Sequence, residues 1–168
     1  MLPGNSIRNK AWIYEVGDAL SPLFEDSYIH NYSHWGSGEE NIDFDLEAKK
    51  LSEKISGLKN YVIFAKSIGS VLALDGINKQ ALKPTKCMFC DIPLKMILEE
   101  SIPLKEWLSR ADMQIVIIQN SHDPMGTYEE LKSYLQPEPK LKIIDVAGDT
   151  QSYNDFDLIK RTVADLIG

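Results

Sequence analysis

Histidine, cysteine and positive charge are all scarce in this chain. Three histidines occur, His30, His34 and His122, so few positions can supply an imidazole base. The two cysteines, Cys87 and Cys90, cannot build a secreted disulfide framework. Met1-Leu2-Pro3-Gly4-Asn5 lacks the basic-then-apolar pattern of a secretion leader. Together these features predict a reducing, cytoplasmic setting. Lysine and arginine total 18 against 25 aspartates and glutamates, a formal net charge of −7. General nucleic-acid binding needs the opposite sign, because basic groups must displace phosphate counterions. No apolar run approaches the roughly 20 residues of a membrane span. No nucleic-acid or membrane partner is therefore expected.

What is present is an ordinary globular mixture, 43% hydrophobic over 168 residues. A chain of this length buries roughly 70% of the surface its unfolded form exposes. Residues 1–168 are expected to form one domain that needs no metal, cofactor or disulfide to hold it together. There is no internal repeat and no long linker, and the polar stretch Gly36–Asn41 reads as a loop.

Strand-like and helix-like segments alternate along the chain. Asn9–Leu20 has helical spacing, with Trp12, Val16 and Ala19 or Leu20 on one face. Ser27–Tyr32 reads as a strand. Asp43 or Asp45 can cap the next helix, whose Leu51, Ile55 and Leu58 share a side. Tyr61–Ala65 is a continuous apolar run, as expected of a strand buried on both faces, and Gln114–Ile118 reads as the second such buried strand. A helix from about Ser67 to Gln80 follows the first of them. Cys87–Cys90 and Leu141–Val146 read as further short strands. One or two helices fill Leu94–Leu108, Tyr128–Leu135 is helical and stopped by Pro137 and Pro139, and Asp155–Ile167 is the last helix. With the short segment at Met1-Leu2, this predicts an α/β fold, a parallel sheet of about six strands with helices on both faces. Sites in such sheets lie at the carboxyl ends of the strands.

Four strand ends carry chemistry. Leu2-Pro3-Gly4-Asn5-Ser6 is a glycine turn before a helix, able to expose N–H groups to an oxyanion. Ala65-Lys66-Ser67-Ile68-Gly69 joins a buried strand directly to a helix. Small residues two before and two after a serine are what a nucleophile elbow needs, because strand and helix backbones nearly touch there. A plain helix cap at Ser67 is the simpler alternative. Ser121-His122-Asp123-Pro124 places a carboxylate after a later strand, either as a triad acid or as an Asp-Pro turn. Gly148-Asp149-Thr150-Gln151-Ser152-Tyr153-Asn154-Asp155 follows the last strand. A serine–histidine–acid enzyme would have its histidine in that loop, and none is there.

In their order and their span of nearly the whole chain, these motifs resemble the α/β-hydrolase superfamily, most closely its small lidless single-domain serine hydrolases. The resemblance implies Ser67 as nucleophile, Asp123 as acid, and the N–H groups of Asn5 and Ile68 as the oxyanion hole. Gln151 occupies the matching position of the family's histidine. Glutamine can hydrogen-bond to a serine but cannot accept its proton at neutral pH. A second departure is at the first strand. In the family a full central strand precedes the Pro-Gly turn, whereas here only Met1 and Leu2 do. The expectation is a shortened strand between Ser27–Tyr32 and Tyr61–Phe64, in a chain that starts late relative to the family.

Several other residues invite a functional reading. His34, after a strand, is a candidate substitute base, although a turn histidine beside Trp35 explains it more simply, and His122, beside Asp123, is another if its loop turns inward. His30 reads as structural, and Lys66 as a surface or packing lysine. Cys87-Met88-Phe89-Cys90 has CxxC spacing but sits in a strand, where positions three apart face opposite sides. It therefore suits neither redox chemistry nor zinc. Asp91 ends that strand and is an alternative acid or a substrate-facing residue. Glu39, Glu40, Asp43 and Asp45 read as a solvated loop and helix cap, with a metal site the weak alternative.

The function expected is attack by Ser67 on a small ester, thioester or amide, with no cofactor. The alternative is a catalytically impaired homologue that binds a ligand or partner protein through the same pocket. A flavodoxin-like binding domain is a third reading, but Pro3–Ser6 lacks the further glycines of a phosphate loop.

Overall fold

The computed structural model describes residues 1–37, 42–136 and 138–168. Its centre is a parallel sheet of four strands in sequential order: β1 (Val62–Lys66), β2 (Lys86–Cys90), β3 (Gln114–Asn120) and β4 (Leu141–Val146). The helices are α1 (Asn9–Leu20), a short α2 (His34–Ser37), α3 (Phe44–Lys54), α4 (Ile68–Asn78), α5 (Leu94–Glu99), α6 (Leu104–Arg110), α7 (Tyr128–Leu135) and α8 (Phe156–Ile167).

Strand alternation sorts the side chains into two cores. Ile63, Ala65, Cys87, Phe89, Ile115 and Ile117 pack with residues of α3 to α7. Phe64, Met88, Cys90, Val116 and Ile118 pack with Ile13, Val16 and Leu20 of α1 and Ile159, Val163 and Leu166 of α8. Cys87 and Cys90 thus belong to opposite cores, as the period of two requires. Both are free and buried, and burial raises both thiols well above the ordinary range, which leaves them unreactive.

Side chains cap the starts of α3, α7 and α8. Asp43 accepts from Leu46 N–H, Asp155 from Leu158 N–H, and Thr127 forms a reciprocal capping box with Glu130. Of the acidic stretch, Glu39 and Glu40 lie outside the described residues, as does Pro137; Gly36 and Ser37 are helical, not loop. Among the described residues, no group of three or more potential metal ligands occurs and no helix is long and apolar enough to cross a membrane.

Six strands were expected, and four form among the described residues. Ser27–Tyr32 does not form a strand. Its backbone link to the sheet runs through Met1, whose carbonyl accepts from His30 N–H at 2.9 Å. Its side chains are spent elsewhere: His30 Nε2 pairs with Glu47 Oε2 at 2.7 Å, and the Tyr32 hydroxyl donates to Pro3 O at 2.7 Å. Leu2 forms a single parallel bridge to Ala65, with Leu2 N–H donating to Phe64 O and Lys66 N–H to Leu2 O. The shortened segment therefore sits where the sequence put it, between the 28–30 backbone and β1. Leu58 is a further correction. It lies beyond the end of α3 and is 58% exposed, so it does not join Leu51 in the core.

The layering fixes where a site can be. From Leu2 the chain passes to α1 on one face; from β1 it passes to α4 on the other. The point where two neighbouring segments depart to opposite faces is the switch point at which open parallel sheets bind ligands. The residues at that point are Asn5 and Ser67.

Candidate active site

Ser67 joins β1 to α4 with φ 52° and ψ −120°. An L-residue held there is strained by roughly 1–3 kcal/mol, a conformation maintained only when the surroundings impose it. Those surroundings are visible. Ser67 N–H donates to the carbonyls of Cys90 (3.0 Å) and Asp91 (2.9 Å). Two residues later, a Cβ placed on Gly69 would lie 2.5 Å from Leu2 O and 2.6 Å from Pro3 O. Ala65, on the other side of the turn, is fully buried. The small residue expected two positions after Ser67 is thus required at Gly69 by close backbone approach. The structure also corrects the start of the helix, which is Ile68 and not Ser67. Relief of this strain is measurable: Ser67→Gly should be more stable than Ser67→Ala by about 1–2 kcal/mol in urea unfolding.

Ile68 N–H occupies the first helical position, where no intrahelical acceptor exists. The Asn5 turn is clamped from outside: its carbonyl accepts from His34 Nε2 at 2.9 Å and from Trp35 Nε1 at 2.7 Å. His34 is buried and stacked on Tyr32 with 5.5 Å between ring centroids. It braces the Asn5 loop, and its hydrogen bond goes to that backbone rather than to Ser67. His122 is exposed, and its backbone N–H donates to Gly148 O at 2.9 Å. Lys66 is only 8% exposed and so is a packing lysine, not a surface one. Its Nζ donates to Asn9 Oδ1 at 2.8 Å and lies 4.9 Å from the Trp12 ring, on the α1 side of the sheet.

Asp91 is the residue whose position the sequence left most open. It is fully buried, with φ 61°, immediately after β2. Gln151 Nε2 donates to its Oδ2 at 3.0 Å, while Oδ1 is buried without a hydrogen-bond partner. The Ser67 hydroxyl is close enough to favour its ionised form. Burial outweighs that help, and the nearby negative charge of Asp123 adds to it, so the carboxyl is pushed up to about 7.

Asp123 is also buried, and burial raises its carboxyl from the ordinary range. Both its oxygens are engaged: Met125 N–H donates to Oδ1 at 2.8 Å, and the Tyr153 hydroxyl donates to Oδ2 at 3.2 Å. The structure therefore brings Asp123 to Tyr153, and Gln151 to Asp91. Two buried amides fix the loops that carry these groups. Gln119 accepts from Ile92 N–H at 2.9 Å and donates to Gly126 O at 2.6 Å, tying the segment after β2 to the one after β3. Asn120 Nδ2 donates to Thr150 O at 2.7 Å, and its N–H donates to the Tyr153 hydroxyl at 3.0 Å. No role was assigned to Gln119, Asn120 or Tyr153 from the sequence. Polar residues ending the apolar run of β3 were the signal that marked the first two.

An apolar cavity of about 490 Å³, lined by Leu23, Phe24, Tyr61 and Val62 among others, lies at the amino end of β1, away from this cluster.

No family model matches the chain, and no curated protein matches its sequence significantly. Solved structures do match. Alpha/beta hydrolase domain-containing protein 10 from mouse superposes with a TM-score of 0.73 at 13% identity, covering 99% of this chain and 87% of that one. ClbQ from the colibactin NRPS/PKS pathway superposes with a TM-score of 0.61 at 14% identity, covering 99% and 97%. This chain has the α/β-hydrolase fold. Ser67 stands at the turn after β1 in that fold, and the segments that follow β2 and β4 meet beside it at Asp91 and Gln151.

Proposed function

We propose that this chain is a serine hydrolase acting on a small ester, thioester or amide through Ser67. The single observation that carries the reading is the strained backbone of Ser67, φ 52° and ψ −120°, between a buried strand and a buried helix. Ser67 Oγ attacks the acyl carbon, and the N–H groups of Asn5 and Ile68 hold the oxyanion that forms. Such donors are worth about 10²–10³ in rate each. Asp123 and Tyr153 support the loop that brings Gln151 to the site. The partner is a small acyl compound; the net charge of −7 disfavours nucleic acid.

A second reading, an impaired homologue that binds a ligand or partner protein, is favoured by one observation. Gln151, where the fold's histidine is expected, spends its amide on Asp91.

The test is hydrolysis of p-nitrophenyl acetate by wild type, Ser67→Ala and Gln151→His. Wild-type turnover that Ser67→Ala lowers by at least about 10³-fold supports the enzyme. A silent wild type with activity gained in Gln151→His supports the impaired homologue.

A further inference from the structure

We propose that Asp91 is the group that takes the Ser67 proton, and that Gln151 is a positioning residue for it. The proposal rests on the reading of Ser67 as nucleophile and supplies the base that reading lacks. Three geometric facts carry it. The chain places Asp91 against the elbow, since Ser67 N–H bonds the Asp91 carbonyl at 2.9 Å. Gln151 Nε2 donates to Oδ2 at 3.0 Å, which engages that oxygen and leaves the other. Oδ1 is left buried with no hydrogen-bond partner, in a side chain with no exposure. A buried carboxylate oxygen without a partner costs free energy unless something uses it, and the neighbouring Ser67 hydroxyl is a donor able to do so.

Asp123 is not the equivalent candidate, because both its oxygens already accept hydrogen bonds. It acts on Asp91 through charge. The titratable groups around Asp91 are Asp123, which disfavours its ionisation, and Lys66, which favours it, with Cys90 and Tyr153 nearby and both held neutral by burial. The outcome is a carboxyl near 7, close to the ordinary basicity of an imidazole. An unperturbed aspartate is a far weaker base and would be ineffective here.

The steps balance. The Ser67 Oγ–H bond breaks, its proton goes to Asp91, and an Oγ–carbon bond forms to the ester carbonyl. Collapse of the tetrahedral adduct breaks the bond to the leaving alcohol, which receives the proton from Asp91. Water then attacks the acyl-serine and gives a proton to Asp91. The acid leaves, and that proton returns to Ser67. Ester and water have become acid and alcohol, with no oxidant or further reactant.

The experiment is the pH profile of p-nitrophenyl acetate hydrolysis from about pH 5 to 9 for wild type, Ser67→Ala, Asp91→Asn and Gln151→Ala, each checked for native circular dichroism. The wild-type rate should rise through a midpoint near 7, since the base must be ionised. Asp91→Asn should lose at least about 100-fold and show no such midpoint. Gln151→Ala should move the midpoint to higher pH, because it removes a donor that favours the ionised carboxyl. A merely structural role for Gln151 would lower the rate without moving the midpoint. If wild type shows Ser67-dependent turnover and Asp91→Asn keeps both rate and profile, the proposal is overturned and the hydrolase reading stands. If no turnover depends on Ser67, the hydrolase reading fails and the proposal with it.

Discussion

Alanine at Gly69 is expected to lower the stability of the protein by at least about 3 kcal/mol, or roughly 6–12 °C in Tm for a chain of this size. Two effects oppose that loss. Alanine is the better helix former by about 1 kcal/mol, and it restricts the unfolded chain. The contact decides the sign. The new methyl would sit 2.5 Å from Leu2 O and 2.6 Å from Pro3 O, both backbone atoms that no rotamer change can move. Leu2 is tied to β1 by two hydrogen bonds, so relief would have to tear the Met1-Leu2 segment from the sheet. That movement would also displace the Asn5 turn, so any folded Gly69→Ala should lose the hydrolysis proposed for Ser67. Thermal unfolding measures it, and a Gly69→Ala protein as stable as wild type would mean that strand and helix do not approach closely at this turn.

The second large effect concerns pH. From the ordinary carboxylate range up to about 7, folded Asp91 keeps a proton that the unfolded chain releases. Stability therefore falls as pH rises through that window, and the loss is complete above it. An asparagine at this position would have no proton to lose. Asp91→Asn should thus be the more stable protein at about pH 8, with that advantage gone near pH 4, where only the cost of the amide remains. A shift from 3.8 to about 7 corresponds to roughly 4 kcal/mol. About 2–3 kcal/mol of gain is expected, because an asparagine amide must also find partners there. Urea unfolding of both proteins at about pH 4 and pH 8 reads it directly. Equal stability at both pH values would mean that Asp91 ionises as an exposed aspartate does. The result bears on function too: a residue that weakens the fold while charged fits a site where the charge is used.

Local features explain how much could be read from the sequence. The ends of α1 (Asn9–Leu20), α7 (Tyr128–Leu135) and β4 (Leu141–Val146) agree with the spacing of apolar residues and the turns that flank them. The sharp turn at Ser67 was legible because its demands are local: a buried run, then Ala65 and Gly69 around Ser67. The Ser27–Tyr32 segment was misread as a strand because its alternation is real but serves side-chain contacts, such as His30 with Glu47 and Tyr32 with Pro3. Leu58 fell on the helical stripe by spacing, but α3 had already ended at Lys54.

Asp91 shows why the site was less legible than the fold. In sequence it is an acid before Ile92-Pro93, with the look of a strand end. Its significance depends on Gln151, 60 positions away, and on the elbow at Ser67, and no spacing along the chain encodes that meeting. The same holds for Tyr153, whose hydroxyl joins Asn120 and Asp123 across about 30 residues.

The central claim is that Ser67 stands on a pre-built elbow as an activated nucleophile. Reaction with a fluorophosphonate tests it most directly, since Ser67 Oγ would bond phosphorus as fluoride leaves. Intact mass and peptide mapping should find one adduct per chain, located on Ser67, and none on Ser67→Ala. A folded wild type that stays unmodified while a known serine hydrolase is labelled alongside it, or that is modified equally in Ser67→Ala, would contradict the account.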